Sequence, residues 1–194
     1  EAFYGCNGLT RVDISDLKAW CGIPFDDADS NPLSYAHHLY LNGTEVTLLN
    51  IPGGVTSISR YAFYECNSLT GVTIPSSVTS IGEYAFYGCS SLTDMTIPGS
   101  VTSIGEYAFS GCDGLSSLTL PAGLEYIESC AFSGCNGLTE LSLPENVCLE
   151  SYAFEGCTGL TSVTVPEGIT YLGGAVFCNC TGLSSVSLPN SLEA

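Results

Sequence analysis

A phenylalanine followed by cysteine three residues on and leucine six residues on occurs seven times in this 194-residue chain. The cysteines are Cys6, Cys66, Cys89, Cys112, Cys135, Cys157 and Cys180, with steps of 60, 23, 23, 23, 22 and 23 residues. A period of about 23 is too short for two full helices per unit and is the period of a solenoid. One complete unit runs from Cys89 through Leu92, Met95, Ile97, Pro98, Val101 and Ile104 to Ala108 and Phe109. No unit can bury these apolar positions alone. Stacked units can, and equivalent residues then form ladders about 4.8 Å apart.

Apolar spacing inside the unit gives the local structure. In "LTDMTI" Met95 and Ile97 flank Thr96, the alternation of a half-buried strand. Pro98 ends that strand because it has no N–H to give to a ladder. "VTSI" is a second, shorter extended piece. "GEYAFSGC" is a tight corner or single helical turn, eased by Gly111 before the cysteine.

These positions spell Leu-x-x-Leu-x-Leu-Pro-x-x-Leu-x-x-Ile-x-x-x-Ala-Phe-x-x-Cys, with Met, Val and Ile replacing Leu in places. The pattern resembles the leucine-rich repeats of the BspA-like, or Treponema pallidum-type, family over nearly the whole chain outside residues 15 to 45. The resemblance implies a strand-rich α/β solenoid of about eight coils over residues 1–194. It would be a right-handed arc with a parallel sheet on its concave side, short second strands and short helical corners. The chain starts and stops inside repeats, so a fragment of a longer protein is expected. The resemblance further implies a non-enzymatic, extracellular or cell-surface protein of a host-associated microbe, implicated in adhesion to protein or glycan. Structural spacer repeats with no ligand are the alternative. Open solenoid ends also permit end-to-end self-association.

Composition narrows the partners. Three basic residues, Arg11, Lys18 and Arg60, face 20 acidic ones, for a formal charge of −17. That balance argues against nucleic acid and anionic membranes, which need basic patches. No run approaches the roughly 20 apolar residues of a membrane-spanning helix.

Residues 15–51 break the beat. From Ile14 to the equivalent Ile51 is 37 residues, so one coil is enlarged by 14. "SDLKAWCGI" predicts a short helix with Ser15 or Asp16 as N-cap and Leu17, Trp20 and Cys21 on one face. "PFDDADSNP" reads as a loop, and "HLYLNGTEV" as a hairpin turning on Asn42-Gly43 in a type I′ turn. Long units with Trp-Cys and an NPL-YAH segment are similar to a variant repeat of the family. This coil holds the only Trp, both His and the densest acidic cluster. Trp20, His37, His38 and Tyr40 are therefore the first candidates for ligand contact.

The remaining candidates lie on the outward face of the main sheet: Leu48, Asn50, Thr73, Thr96 and Thr119. That face is mainly hydroxyl and poor in the aromatics and arginine that anchor protein interfaces. The ladder cysteines read as buried free thiols packed as small hydrophobes, since parallel Cβ vectors suit a disulfide badly. Cys21, Cys130, Cys148 and Cys178 lie off the ladder, and one disulfide among them stays open. "DADSNP" begins like a calcium loop, but Pro32 and His38 stand where the EF-hand glycine and closing Glu belong. No metal, cofactor or catalytic residue is assigned. Tyr61, Tyr84, Tyr107 and Tyr152 form a corner stripe, read as a stacked ladder or a sticky ridge.

Overall fold

The computed structural model describes residues 1–193; Ala194, the last residue of the predicted domain, lies outside them. In chain order the elements are β1 (Val12–Ile14), α1 (Leu17–Cys21), a 3₁₀ turn (Ala28–Ser30) and α2 (Leu33–Ala36). Then come β2 (Leu39–Leu41), β3 (Thr44–Glu45), β4 (Leu48–Asn50), β5 (Ser57–Ile58), β6 (Gly71–Thr73), β7 (Ser80–Ile81) and β8 (Asp94–Thr96). The chain ends with β9 (Ser103–Ile104), β10 (Ser117–Thr119), β11 (Tyr126–Ile127), β12 (Cys148–Leu149), β13 (Ser162–Thr164) and β14 (Ser185–Ser187).

Stacked parallel strands make this a solenoid of about eight coils. β4, β6, β8 and β10 form one parallel sheet in which Leu49, Val72, Met95 and Leu118 are successive partners. The shorter strands β5, β7, β9, β11 and β12 form a second parallel sheet through Ile58, Ile81, Ile104, Ile127 and Leu149. The 22-residue step is absorbed before Cys148, which still pairs with Tyr126 in register. Leu124 and Val147 are still 23 residues apart, so the missing residue falls between Val147 and Cys148.

The corners are single turns, and they carry a hydrogen-bond ladder of their own. The N–H groups of Phe63, Phe86, Phe109 and Phe132 donate to Ala85, Ala108, Ala131 and Ala153 of the next coil, each at 2.8 Å. Their rings stack with centroids 5.2–5.3 Å apart and are fully buried. Each turn needs a left-handed residue: Tyr61, Tyr84, Tyr107, Cys130, Tyr152 and Ala175 have φ 54–62°. That backbone costs about 1–2 kcal/mol per non-glycine residue, offset by coil-on-coil stacking. Close stacking also dictates glycine: a Cβ on Gly137 would lie 2.6 Å from the Asp113 carbonyl oxygen of the preceding coil.

The break in the beat has a structure that periodicity did not reveal. β1 does not neighbour β4. It pairs in parallel with β2, Val12 opposite Leu39, and β2 turns back into β3. The rung after β1 is thus a 27-residue coil, and the hairpin stands between it and β4. Arg11 and Asp13 therefore neighbour Tyr40 rather than Leu48 and Asn50 on the sheet face. Asn42 (φ 51°) and Gly43 (φ 79°) supply the two left-handed residues of the hairpin turn. Asp16 is the residue that caps α1, accepting from the Ala19 N–H at 3.0 Å.

Candidate interaction surface

Trp20 is 7% exposed, and its indole N–H donates to the Ala62 carbonyl at 2.8 Å. Ala85, Ala108 and Ala131 receive a phenylalanine N–H from the coil before them. Ala62 has no such coil behind it, and the indole supplies the missing donor. An unsatisfied buried carbonyl would be costly. Trp20 is therefore a core residue that closes the ladder, which corrects its reading as a ligand contact. The neighbouring "NPL" segment is equally structural. Asn31 is fully buried, donates to the Tyr61 carbonyl and accepts from the Leu33 N–H at 2.9 Å. Sequence reasoning missed Asn31; its signal was an Asn-Pro pair between two short helical turns.

His37 and His38 point to different tasks. His37 ends α2 in a left-handed conformation, φ 58°. Its Nδ1 is 3.2 Å from the Glu65 carbonyl oxygen and 3.5 Å from the Glu65 carboxylate. His38 is exposed, with Nδ1 2.6 Å from Glu45 Oε1 across the hairpin. Neither histidine has a hydroxyl or thiol partner among the described residues, and Cys21 is buried with its thiol pushed up to about 11 by desolvation. Among the described residues no three His, Cys, Asp or Glu side chains converge as a metal site.

The hairpin meets the sheet in an apolar groove. Leu17, Leu41, Thr44, Glu45, Val46, Leu48 and Asn50 enclose about 210 Å³ there. The chain reverses between antiparallel β3 and parallel β4 over two residues, Val46 and Thr47, and the two strands share no ladder. Leu48 is 68% exposed, in a column continued by Gly71, Asp94 and Ser117. Nearby the Arg11 guanidinium lies 5.1 Å over the Tyr40 ring, with its Nε 2.8 Å from Asp13. The structure thus places Leu48 and Asn50 in the groove wall and Tyr40 on β2, opposite Asp13 and Glu45. Thr73 and Thr96 line a separate shallow hollow of about 340 Å³, and Thr119 a third of about 410 Å³. That third hollow marks a gap in the sheet. Among the described residues, 140–142 form no ladder with β10 and pair with the next coil only through the Ser142–Thr164 bridge.

All eleven cysteines are free. The ladder thiols do more than fill space. The S–H groups of Cys89, Cys112, Cys135 and Cys157 donate to the carbonyls of Phe63, Phe86, Phe109 and Phe132 at 3.2–3.3 Å. Desolvation pushes the Cys66 thiol up to about 11 and Cys157 to about 12, and raises Cys89, Cys112 and Cys135 well above the ordinary range. These sulfurs are inert supports rather than nucleophiles.

Fold and surface together define a repeat solenoid whose regular coils serve the core and whose irregular coil shapes the sheet face. The family model described as BspA type leucine rich repeat region, in six copies, matches residues 36–157 and 102–194. The chain belongs to this family. Among solved structures it is similar to the leucine-rich repeat protein of T. pallidum, with 33% identity and TM-score 0.65 over 78% of this chain and 67% of that one. A leucine-rich repeat protein of Bacteroides ovatus gives 33% identity and TM-score 0.57, covering 75% of this chain and 46% of that one. A leucine rich cell surface protein of Faecalibacterium prausnitzii gives 25% identity and TM-score 0.65, covering 96% of this chain and 62% of that one. The chain thus spans less than half the length of the Bacteroides protein. A comparison with curated proteins finds no match. No helix among the described residues is long and apolar enough to cross a membrane.

Proposed function

We propose that this chain is a non-enzymatic interaction module of a cell-surface or secreted protein, holding a protein or glycan partner in adhesion. The observation that carries the reading is the apolar groove at the hairpin, with an exposed Leu48 in its wall beside an otherwise hydroxyl-rich face. Membership of the repeat family supports a binding role, and the cell-surface description of the Faecalibacterium protein supports the location. Tyr40, Leu48 and Asn50 are the proposed contacts, with His38 at the rim and Thr73, Thr96 and Thr119 extending the face. His37 is better placed to hold the Glu65 corner.

The test is a printed array of glycans and host-matrix proteins probed with the chain. Binding that falls on changing Leu48 to Ser or Tyr40 to Ala supports the reading. A silent array favours the spacer reading, which the plain hydroxyl face of the regular coils also fits. Trp20→Ala is not a useful probe, because it opens the core.

A further inference from the structure

The main sheet is interrupted at the hairpin, and the interruption leaves strand edges bare. The bonds that join β4 to β6 run through Thr47 and Ile51, and ladder alternation puts Leu49 with them. Leu48 and Asn50 therefore turn their backbone N–H and C=O groups the other way, toward the hairpin. In β6, β8 and β10 that edge is filled by the strand of the preceding coil. In β4 it looks across the groove to β3, with which it forms no ladder. β3 has a bare edge too. The Val46 N–H donates to the Leu39 carbonyl, so Val46 bonds to β2 and Glu45 points its N–H and C=O away from it. Among the described residues, the backbone groups of Glu45, Leu48 and Asn50 make no hydrogen bond.

The groove beside these edges says what would complete them. Buried Leu17 and Val46 and half-buried Leu41 give it an apolar lining, with Leu48 and Asn50 in one wall. At about 210 Å³ it lies below the roughly 300–1,000 Å³ of small-molecule pockets, and it has room for a side chain. An apolar lining suits a sugar poorly, because buried hydroxyls need polar partners. Free backbone donors and acceptors beside a side-chain pocket instead match an extended peptide: main-chain bonds hold it and the pocket selects its side chain. Bare edges are commonly guarded by lysine or proline. Residues 44–50 contain neither.

We propose that the groove takes an extended segment of a partner protein, which adds as a strand to the free edge of β4, bonds to Leu48 and Asn50, and places an apolar side chain against Leu17 and Leu41. The formal charge of −17 favours basic residues flanking that segment. This inference rests on the interaction-module reading and narrows its partner from protein or glycan to an extended peptide.

Hydrogen exchange of the whole chain, read at single amides by NMR, tests it with an octapeptide of alternating Thr and Val carrying a lysine at each end. Without peptide, the Leu48 and Asn50 amides should exchange faster than those of Leu49 and Ile51, which bond to β6. Saturating peptide should slow Leu48 and Asn50 about fivefold or more. N-methylating either all the Val or all the Thr amides blocks one edge of the peptide, and at least one of these two forms should lose the effect. Asn50→Pro removes an N–H that the ladder does not use, so it should fold and bind the peptide about fivefold more weakly or worse. Should it fail to fold, the methylated pair decides. Unchanged exchange at Leu48 and Asn50, full activity of both methylated peptides, or full affinity in Asn50→Pro would overturn the proposal. An array ligand that depends on Leu48 yet binds Asn50→Pro unchanged leaves the module reading intact while strand addition fails.

Discussion

The sulfur of Cys112 donates to the carbonyl of Phe86 one coil back, and that carbonyl already accepts the N–H of Cys89. A small apolar side chain alone would leave the second lone pair of a buried oxygen empty. Burial holds such thiols protonated, so the folded chain keeps protons that the unfolded chain releases near the ordinary thiol value of 9.0. Stability from this source is whole below that pH and falls as pH rises through about 11 for Cys66 and about 12 for Cys157. Tyr64 and Tyr84, also raised by burial, add to the same loss. Melting temperature measured across pH 8 to 11 should therefore fall steadily above about 9; a flat profile would contradict the buried ladder. Reactivity should follow exposure. A thiol reagent on native protein should label exposed Cys6 and Cys178 first and partly exposed Cys148 next, leaving the eight buried cysteines until the chain unfolds.

At the scale of elements, the regular coil was legible and the irregular one only in part. Strand, proline, short strand and corner follow from apolar spacing, because stacking forces equivalent residues into equivalent places. Helix α1 and the Asn42-Gly43 hairpin carry local signals of the same kind. Spacing is silent, however, about partners across coils. Nothing in "VTLLNIP" says that β2 rather than β4 lies beside β1. Nothing in "KAWC" says that the Trp20 indole replaces a backbone donor at Ala62. That role makes a specific demand: Trp20→Phe keeps most of the ring and loses the donor, and should cost about 1–3 kcal/mol in denaturant unfolding. Asp16→Ala, which removes only the cap of α1, should cost about 1 kcal/mol. A Trp20→Phe variant as stable as the parent would mean the indole hydrogen bond contributes nothing. Of the candidate residues, Leu48 and Asn50 line the groove, Tyr40 stands on β2 opposite Asp13, and Trp20 is buried in the core. A lone tryptophan in an irregular segment serves a core as readily as a ligand, and sequence does not separate the two.

Across the whole molecule, each coil touches mainly the coils beside it, so stability is a sum of local interfaces. Phe109, with a ring stacked on either side, should cost about 3–5 kcal/mol when cut to Ala. Phe177, stacked on Phe154 alone and partly exposed, should cost less. A charge of −17 with few internal cations also means that added salt should raise the melting temperature by screening self-repulsion. The regular coils thus account for the fold, and the proposed binding falls at the hairpin, where the beat fails. The most direct measurement of that division is the affinity of one array-selected ligand for four proteins: the parent, Leu48→Ser, Tyr40→Ala and Thr164→Ala. Loss of about tenfold or more at the two hairpin positions, with Thr164→Ala unchanged, is the predicted result. Equal losses at all three positions, or none at Leu48 and Tyr40, would contradict it.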